Sequence, residues 1–192
     1  LAAYLLGSLP FGLFAGRLKG IDIRQHGSGN IGATNVFRVV GKKWGITVLL
    51  LDALKGYLAC RLPFFFGFEH LPLAFSLALG IIAILGHSFS FWLKFHGGKG
   101  VATSLGVFLA ICWLPTLITF GIWILIFTLT HIISISSLVA AIVFPMMVGW
   151  SYAHSPDLKL LLPISIFLAL FIFYTHRANI QRLLRKTEKK LF

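Results

Sequence analysis

Long apolar runs separated by short polar stretches divide this chain. Leu1–Leu18, Trp44–Phe66, Leu71–Leu93 and Lys159–His176 each read as one membrane-crossing helix, since about 20 mostly apolar residues span a bilayer core. Between them, the stretch Val101–Tyr152 contains no Lys, Arg, Asp or Glu. Its length suits two long helices or three short ones, and the flanking charges choose. Arg17, Lys19, Arg24, Arg38, Lys42 and Lys43 surround the first polar stretch, and Arg177, Arg182, Arg185, Lys186, Lys189 and Lys190 fill the tail. Loops this basic belong on the cytoplasmic side. The second and third spans return the chain to that side at Lys94–Lys99, so an odd number of crossings must precede the last helix. Three short helices satisfy this, with breaks predicted near Pro115 and near Ser134–Ser137. The predicted fold is an all-α, polytopic bundle of seven transmembrane helices forming one domain over residues 1–192. Its amino terminus lies outside and its carboxyl terminus is cytoplasmic, which leaves Lys159 as the single cation in an outer loop.

Composition strengthens the membrane assignment. Hydrophobic residues make up 58% of the 192 and charged residues 11%, against about 25% charged in soluble domains. The net charge of +12 sits in loops, where it sets orientation and attracts anionic headgroups; no nucleic-acid partner is expected. Cys60 and Cys112 lie in apolar segments without redox or metal spacing and are expected to fill space. Leu1–Leu18 is expected to be retained as a helix rather than cleaved. Gly12 and Gly16 form a small-xxx-small face that allows close backbone approach in a compact bundle. Asp52 and Lys55, three apart on one helix face and deep in the membrane, should point inward as a structural pair, with each other or with a loop residue.

Three polar stretches break the hydrocarbon. In the first, Gly27-Ser28-Gly29-Asn30-Ile31-Gly32 has the letters of a dinucleotide fingerprint but lacks the strand–helix setting that fingerprint requires. It continues through Thr34 and Asn35 to Arg38, whose planar fork suits phosphate. In the second, Gly97-Gly98-Lys99-Gly100 lacks nucleotide P-loop spacing. It offers backbone amides and one ammonium, followed by Thr103 and Ser104 where the next helix starts, and a helix amino terminus favours an anion. In the third, His176 and Asn179 share one helix face as the last span leaves the membrane. The predicted topology puts all three stretches on the cytoplasmic side, as a site for a phosphorylated, lipid-soluble substrate would need.

Together, Ser28-Gly29-Asn30-x-Gly32-Ala33-Thr34-Asn35-x-x-Arg38, Gly97-Gly98-Lys99-Gly100-Val101-Ala102-Thr103 and His176-Arg177-x-Asn179-Ile180-x-Arg182-Leu183 resemble the three motifs of the bacterial acyl-phosphate-dependent glycerol-3-phosphate acyltransferases. The resemblance includes Gly86-His87 upstream of the second motif and spans nearly the whole chain. One position departs: the family usually has glycine before a Thr-Glu pair in the tail, and this chain has Lys186 before Thr187-Glu188.

The resemblance implies transfer of a fatty acyl group from acyl phosphate to the 1-hydroxyl of sn-glycerol 3-phosphate, giving lysophosphatidic acid and phosphate. It implies catalytic roles for Ser28, Asn30, Arg38, Lys99 and His176. Ser28, Asn30, Gly97, Gly98, Lys99, Gly100 and Thr103 would hold acyl phosphate, and Thr34, Asn35, Arg38, Ser104, His176 and Asn179 would hold glycerol 3-phosphate. Acyl phosphate is already an activated anhydride, so direct attack needs no acyl-enzyme and no cofactor. A phosphate oxygen of the substrate or His176 would accept the proton. No metal is expected, since no His/Asp/Glu cluster has ligand spacing. A monomer in the bacterial cytoplasmic membrane, with its site facing the cytoplasm, completes the expectation. The alternatives are a transporter of an organic or phosphorylated anion, for which an internal repeat is missing, and a lipid-binding scaffold without chemistry.

Overall fold

The computed structural model describes residues 1–68 and 71–191. These form ten α-helices, two short 3₁₀ turns and, among the described residues, no strand. They gather into two compact units, Leu1–Ile111 and Cys112–Phe192.

In the first unit, the predicted first span is two helices, α1 (Ala2–Ser8) and α2 (Phe11–Arg17). Pro10 explains the break: it lacks an N–H and pushes the preceding residue out of helical geometry, and Leu9 is extended at φ −56°, ψ 120°. α3 (Ala33–Val39) carries the first motif's end, α4 (Lys42–Phe65) is the long central helix, and α5 (Leu73–Ser88) and α6 (Val101–Ile111) flank it.

Glycines let these helices touch through their backbones. A Cβ at Gly106 would collide with the Ala53 carbonyl and one at Gly56 with that of Thr103, which seats α6 on α4. Gly7 against Ala83 seats α1 on α5 in the same way. Gly12 and Gly16 also allow close backbone approach, as their spacing suggests. Gly12 meets the Ile31 carbonyl and Gly16 the Ile21 carbonyl, so this face of α2 receives the first polar loop instead of another helix.

The second unit contains α7 (Trp113–Thr130), α8 (Ile133–Ser151), α9 (Leu158–Thr175) and the short α10 (Arg177–Leu184). α8 packs on both α7 and α9. The charge-free stretch is thus three helices, α6 to α8, with breaks at Cys112 and at His131–Ile132 instead of near Pro115 and Ser134–Ser137. Pro115 lies in the first turn of α7, where a missing N–H costs no helical bond. His131 makes the second turn in the left-handed region, at φ 57°. Ser136 stays helical by donating its hydroxyl back to the Ile132 carbonyl at 3.3 Å.

Among the described residues, four stretches are long and apolar enough to cross a membrane: Leu73–Leu93, Trp113–Thr130, Ile133–Ser151 and Leu158–Thr175. α4 has the length, at 24 residues, but carries Lys42, Lys43, Asp52, Lys55 and Arg61. α6 has only 11 residues, about 16 Å at 1.5 Å per residue.

Candidate active site

The first motif is a loop folded around one amide. Asn35 is buried, with 1% exposure. Its Oδ1 accepts the Ser28 N–H at 2.9 Å, while Nδ2 donates to the carbonyls of His26 at 2.9 Å and Ile23 at 3.2 Å. Gly27 turns at φ 63° with no room for a Cβ beside Asn35 Oδ1. Asn35, expected as a substrate ligand, therefore spends both amide atoms on shaping the loop. Asn30 Oδ1 accepts the Gly32 N–H at 2.8 Å, which turns its Nδ2 donors away from that turn. Ser28 is exposed, and Thr34 and Arg38 are half-buried and one helical turn apart on α3. Below them, Ile31 and Val36 enter an apolar cluster with Leu13, Ile23, Val48 and Leu93. At the loop's start Asp22 pairs with Arg24 at 2.6 Å, and the Arg24 hydrogen bonds pull its carboxyl down to about 2.

The second motif hangs from the end of α5. The last carbonyls of a helix lack intrahelical partners, and here the glycine amides fill that need. Gly98 N–H donates to His87 O and Gly97 N–H to Ser88 O, both at 3.0 Å. These two amides, expected to face an anion, are thus committed inside the fold. The same glycines leave no room for side chains, since a Cβ at Gly97 would collide with the His87 carbonyl and one at Gly98 with the His87 ring. Lys94 and Phe95 approach the turn in the left-handed region, at φ 52° and 64°, and Gly100 leaves it at φ 85°. Lys99 is half-buried at the threshold of α6. Thr103 and Ser104 are buried, Thr103 completely, and their hydroxyls meet no partner among the described residues.

The third motif lies in the second unit. His176 is 3% exposed, and its Nδ1 lies 2.8 Å from the Ile172 carbonyl. A carbonyl only accepts, so Nδ1 carries a proton and a neutral ring has its lone pair on Nε2. Asn179 donates Nδ2 to Glu188 Oε1 at 2.5 Å, Ser134 donates to the same oxygen at 2.9 Å, and Arg182 donates to Oε2 at 2.5 Å. Burial alone would raise the Glu188 carboxyl, but the Arg182, Asn179 and Ser134 bonds outweigh it and hold it below the usual range.

The tail turn that brings Glu188 back is a Schellman closure. Thr187 N–H donates to Arg182 O at 2.8 Å and Lys186 N–H to Leu183 O at 3.0 Å. Lys186 sits at φ 56°, the left-handed position for which glycine is the ordinary choice. The turn therefore keeps its shape despite the substitution. Among the described residues, no group of three or more His, Cys, Asp and Glu side chains is placed to share a metal ion.

A family model for glycerol-3-phosphate acyltransferases matches residues 1–186. The chain belongs to that family. It is 46% identical over 192 residues to the glycerol-3-phosphate acyltransferase of Geobacillus kaustophilus, covering 100% of this chain and 93% of the relative. It is 42% identical over 188 residues to the one from Fusobacterium nucleatum, covering 97% and 93%. Among solved structures it is similar to PlsY, an integral membrane glycerol 3-phosphate acyltransferase. The match to that protein's glycerol 3-phosphate form has a TM-score of 0.85 at 40% identity, covering 98% of this chain and 91% of PlsY. The match to its lysophosphatidic acid form has a TM-score of 0.82 at 39% identity. Membership makes this chain an integral membrane acyltransferase and leaves the transporter reading without support.

Sequence reasoning left two groups out of the site. Glu188 was noted only as a matching tail residue, and its pairing with Ser134 spans 54 positions. His87 was noted as part of Gly86-His87, but nothing in the sequence puts its ring against Gly98.

Proposed function

We propose that the protein moves a fatty acyl group from acyl phosphate to the 1-hydroxyl of sn-glycerol 3-phosphate, releasing phosphate and lysophosphatidic acid. The observation that carries this reading is the near-complete match to an acyltransferase solved in both glycerol 3-phosphate and lysophosphatidic acid forms. The three motifs supply the donor, because acyl-phosphate use is what their resemblance implies.

In the reaction, the 1-hydroxyl oxygen bonds to the acyl carbonyl carbon. The bond from that carbon to the phosphate oxygen breaks, and the hydroxyl proton passes to a phosphate oxygen of the substrate. Negative charge grows on the carbonyl oxygen and the leaving phosphate, where positioned donors and cations lower the barrier most. Asn30 suits the carbonyl, because its committed Oδ1 leaves Nδ2 to donate. Ser28 is exposed beside it. Lys99 and the amides of Gly100 and the opening turn of α6 suit the acyl-phosphate phosphoryl group. Arg38 suits glycerol 3-phosphate, with Thr34 on the same face, and Ser104, His176 and Asn179 keep the role the resemblance implies. Asn35, Gly97 and Gly98 act by shaping the loops, and Thr103 stands at the buried base of the second motif.

The chain works as a monomer in the bacterial cytoplasmic membrane with its motifs on the cytoplasmic side. Seven embedded segments (α1 with α2, α4, α5, α6, α7, α8 and α9) would give the orientation that the basic loops favour. Purified protein should turn palmitoyl phosphate and glycerol 3-phosphate into equal amounts of phosphate and lysophosphatidic acid, measured by phosphate assay and mass spectrometry. Formation of the product from an acyl thioester but not from acyl phosphate would overturn the donor assignment.

A further inference from the structure

Three polar groups in the first unit lie outside the motifs and almost outside water: Asp52 and Lys55 on α4, and His87 at the end of α5. Lys55 Nζ lies 2.7 Å from Asp52 Oδ1, 2.8 Å from the Leu9 carbonyl and 3.0 Å from His87 Nδ1. An ammonium has three protons and no lone pair; it hydrogen-bonds to the Leu9 carbonyl and to His87, while its contact with Asp52 Oδ1 is an ion pair without hydrogen-bond geometry. His87 Nδ1 must then be the acceptor of that contact, and a neutral ring carries its proton on Nε2. That edge of the ring faces Gly98, where it fills the space a Cβ would take. The His87 main-chain carbonyl accepts the Gly98 N–H as well. The turn that presents Lys99 thus rests on His87 twice, through backbone and ring, and Lys55 fixes the rotation of that ring.

The other arm of Lys55 reaches the Leu9 carbonyl, which the Pro10 break leaves without a helical partner. From there α2 runs on to Gly12, the seat of the Ile31 carbonyl in the first motif. We propose that Asp52, Lys55 and His87 are positioning residues for acyl transfer, a buried brace that fixes the Gly97–Gly98 turn and so aims the Lys99 ammonium. This rests on the reading of Lys99 as the cation that meets phosphate. The competing view is that the cluster merely offsets buried charge and contributes only to stability.

The two views differ in kinetics. His87→Asn keeps an oxygen near the Nδ1 position for Lys55 and removes the ring edge from Gly98, and Gly98→Ala disturbs the same contact from the other side. Each should lower kcat by about tenfold or more, as small misplacements of a reacting group do. KM for glycerol 3-phosphate and the thermal midpoint in detergent should stay near wild type. The double variant should be no worse than the weaker single, since both act on one contact. Multiplied losses, or losses that only track the thermal midpoint, would overturn the proposal. The state of the ring gives a test that does not depend on turnover. Nitrogen NMR of labelled histidine should find one ring that carries its proton on Nε2 and accepts a hydrogen bond at Nδ1, and the Lys55→Met variant should lose that signature. Absence of such a ring would overturn it. Lys99→Ala separates the failures: normal activity there would sink the underlying reading, whereas an impaired Lys99→Ala with an unimpaired His87→Asn would sink only the brace.

Discussion

The second and third motifs are held by different physics. The Gly97–Gly98 turn rests on an ammonium and a histidine that are nearly dry, tied to the backbone carbonyls of Leu9, His87 and Ser88. The α10 turn rests on one carboxylate, Glu188, which gathers Ser134, Asn179 and Arg182 at the edge of the second unit. The Glu188 side chain is only 5% exposed, but its partner Arg182 is 40% exposed, so solvent reaches this support through the arginine. Salt screens exposed charges and barely touches buried ones. The first support should behave as a fixed part, and the second as one whose strength follows the solvent.

The largest effect should come from the group that the rigid support presents. Lys99→Ala should lower kcat/KM by about 10²–10³, the usual cost of losing one positioned electrostatic donor. Arg38→Ala should do the same, with little change in thermal midpoint for either. Steady-state assays varying each substrate check this, and a tenfold smaller loss would mean the rigid part carries no chemical group.

Next comes the solvent-facing support. The folded Glu188 carboxyl titrates below its ordinary 4.5, so its contribution is complete above about pH 4.5 and drains away as pH falls through the lowered folded value. The protection of the 177–188 amides, measured against their intrinsic exchange rates, should therefore fall on acidification below about pH 4.5, while that of the Gly97 and Gly98 amides holds. Glu188→Gln should bring the loss of protection to neutral pH, and half-molar salt should reproduce part of it. Equal acid sensitivity of both turns would erase the contrast.

The smallest effect runs in the favourable direction. A side chain in the left-handed region costs about 1–2 kcal/mol, partly offset by the greater freedom of glycine in the unfolded chain. Lys186→Gly should accordingly stabilise the tail by about 0.5–1 kcal/mol, read as slower exchange of the Thr187 amide. Destabilisation would mean that the lysine side chain carries a contact of its own.

Helix placement was legible because hydropathy and charge act over long windows. The long spans and the three-helix division of 101–152 follow from them. Where helices begin and end depends on single bonds instead. The break expected near Pro115 falls three residues earlier, at Cys112, because proline is tolerated in a first turn, and Leu1–Leu18 read as continuous because Pro10 is one residue in an apolar run. The motifs were visible as glycine- and cation-rich islands, but the work of each residue was not. Asn35, Gly97 and Gly98 looked like groups turned toward ligand. They are turned inward because their bonding partners, the carbonyls of Ile23, His26, His87 and Ser88, are backbone atoms that no residue letter encodes. The pairing of Lys55 with His87 spans 32 positions, far beyond any helical periodicity.

The Leu9–Pro10 break also sets an order of assembly. In lipid, a poorly paired carbonyl is costly; the Leu9 carbonyl accepts the Phe11 N–H at 3.2 Å in a tight local turn, and its shorter bond, at 2.8 Å, comes from a residue 46 positions later. The next anchors of α1 come later still, where Tyr4 donates to Phe89 O and Ser90 to Ser8 O, both at 2.7 Å. α1 therefore reaches its final bonds only once α4 and the end of α5 have been made, and α4 in turn gains its seat for α6 later still.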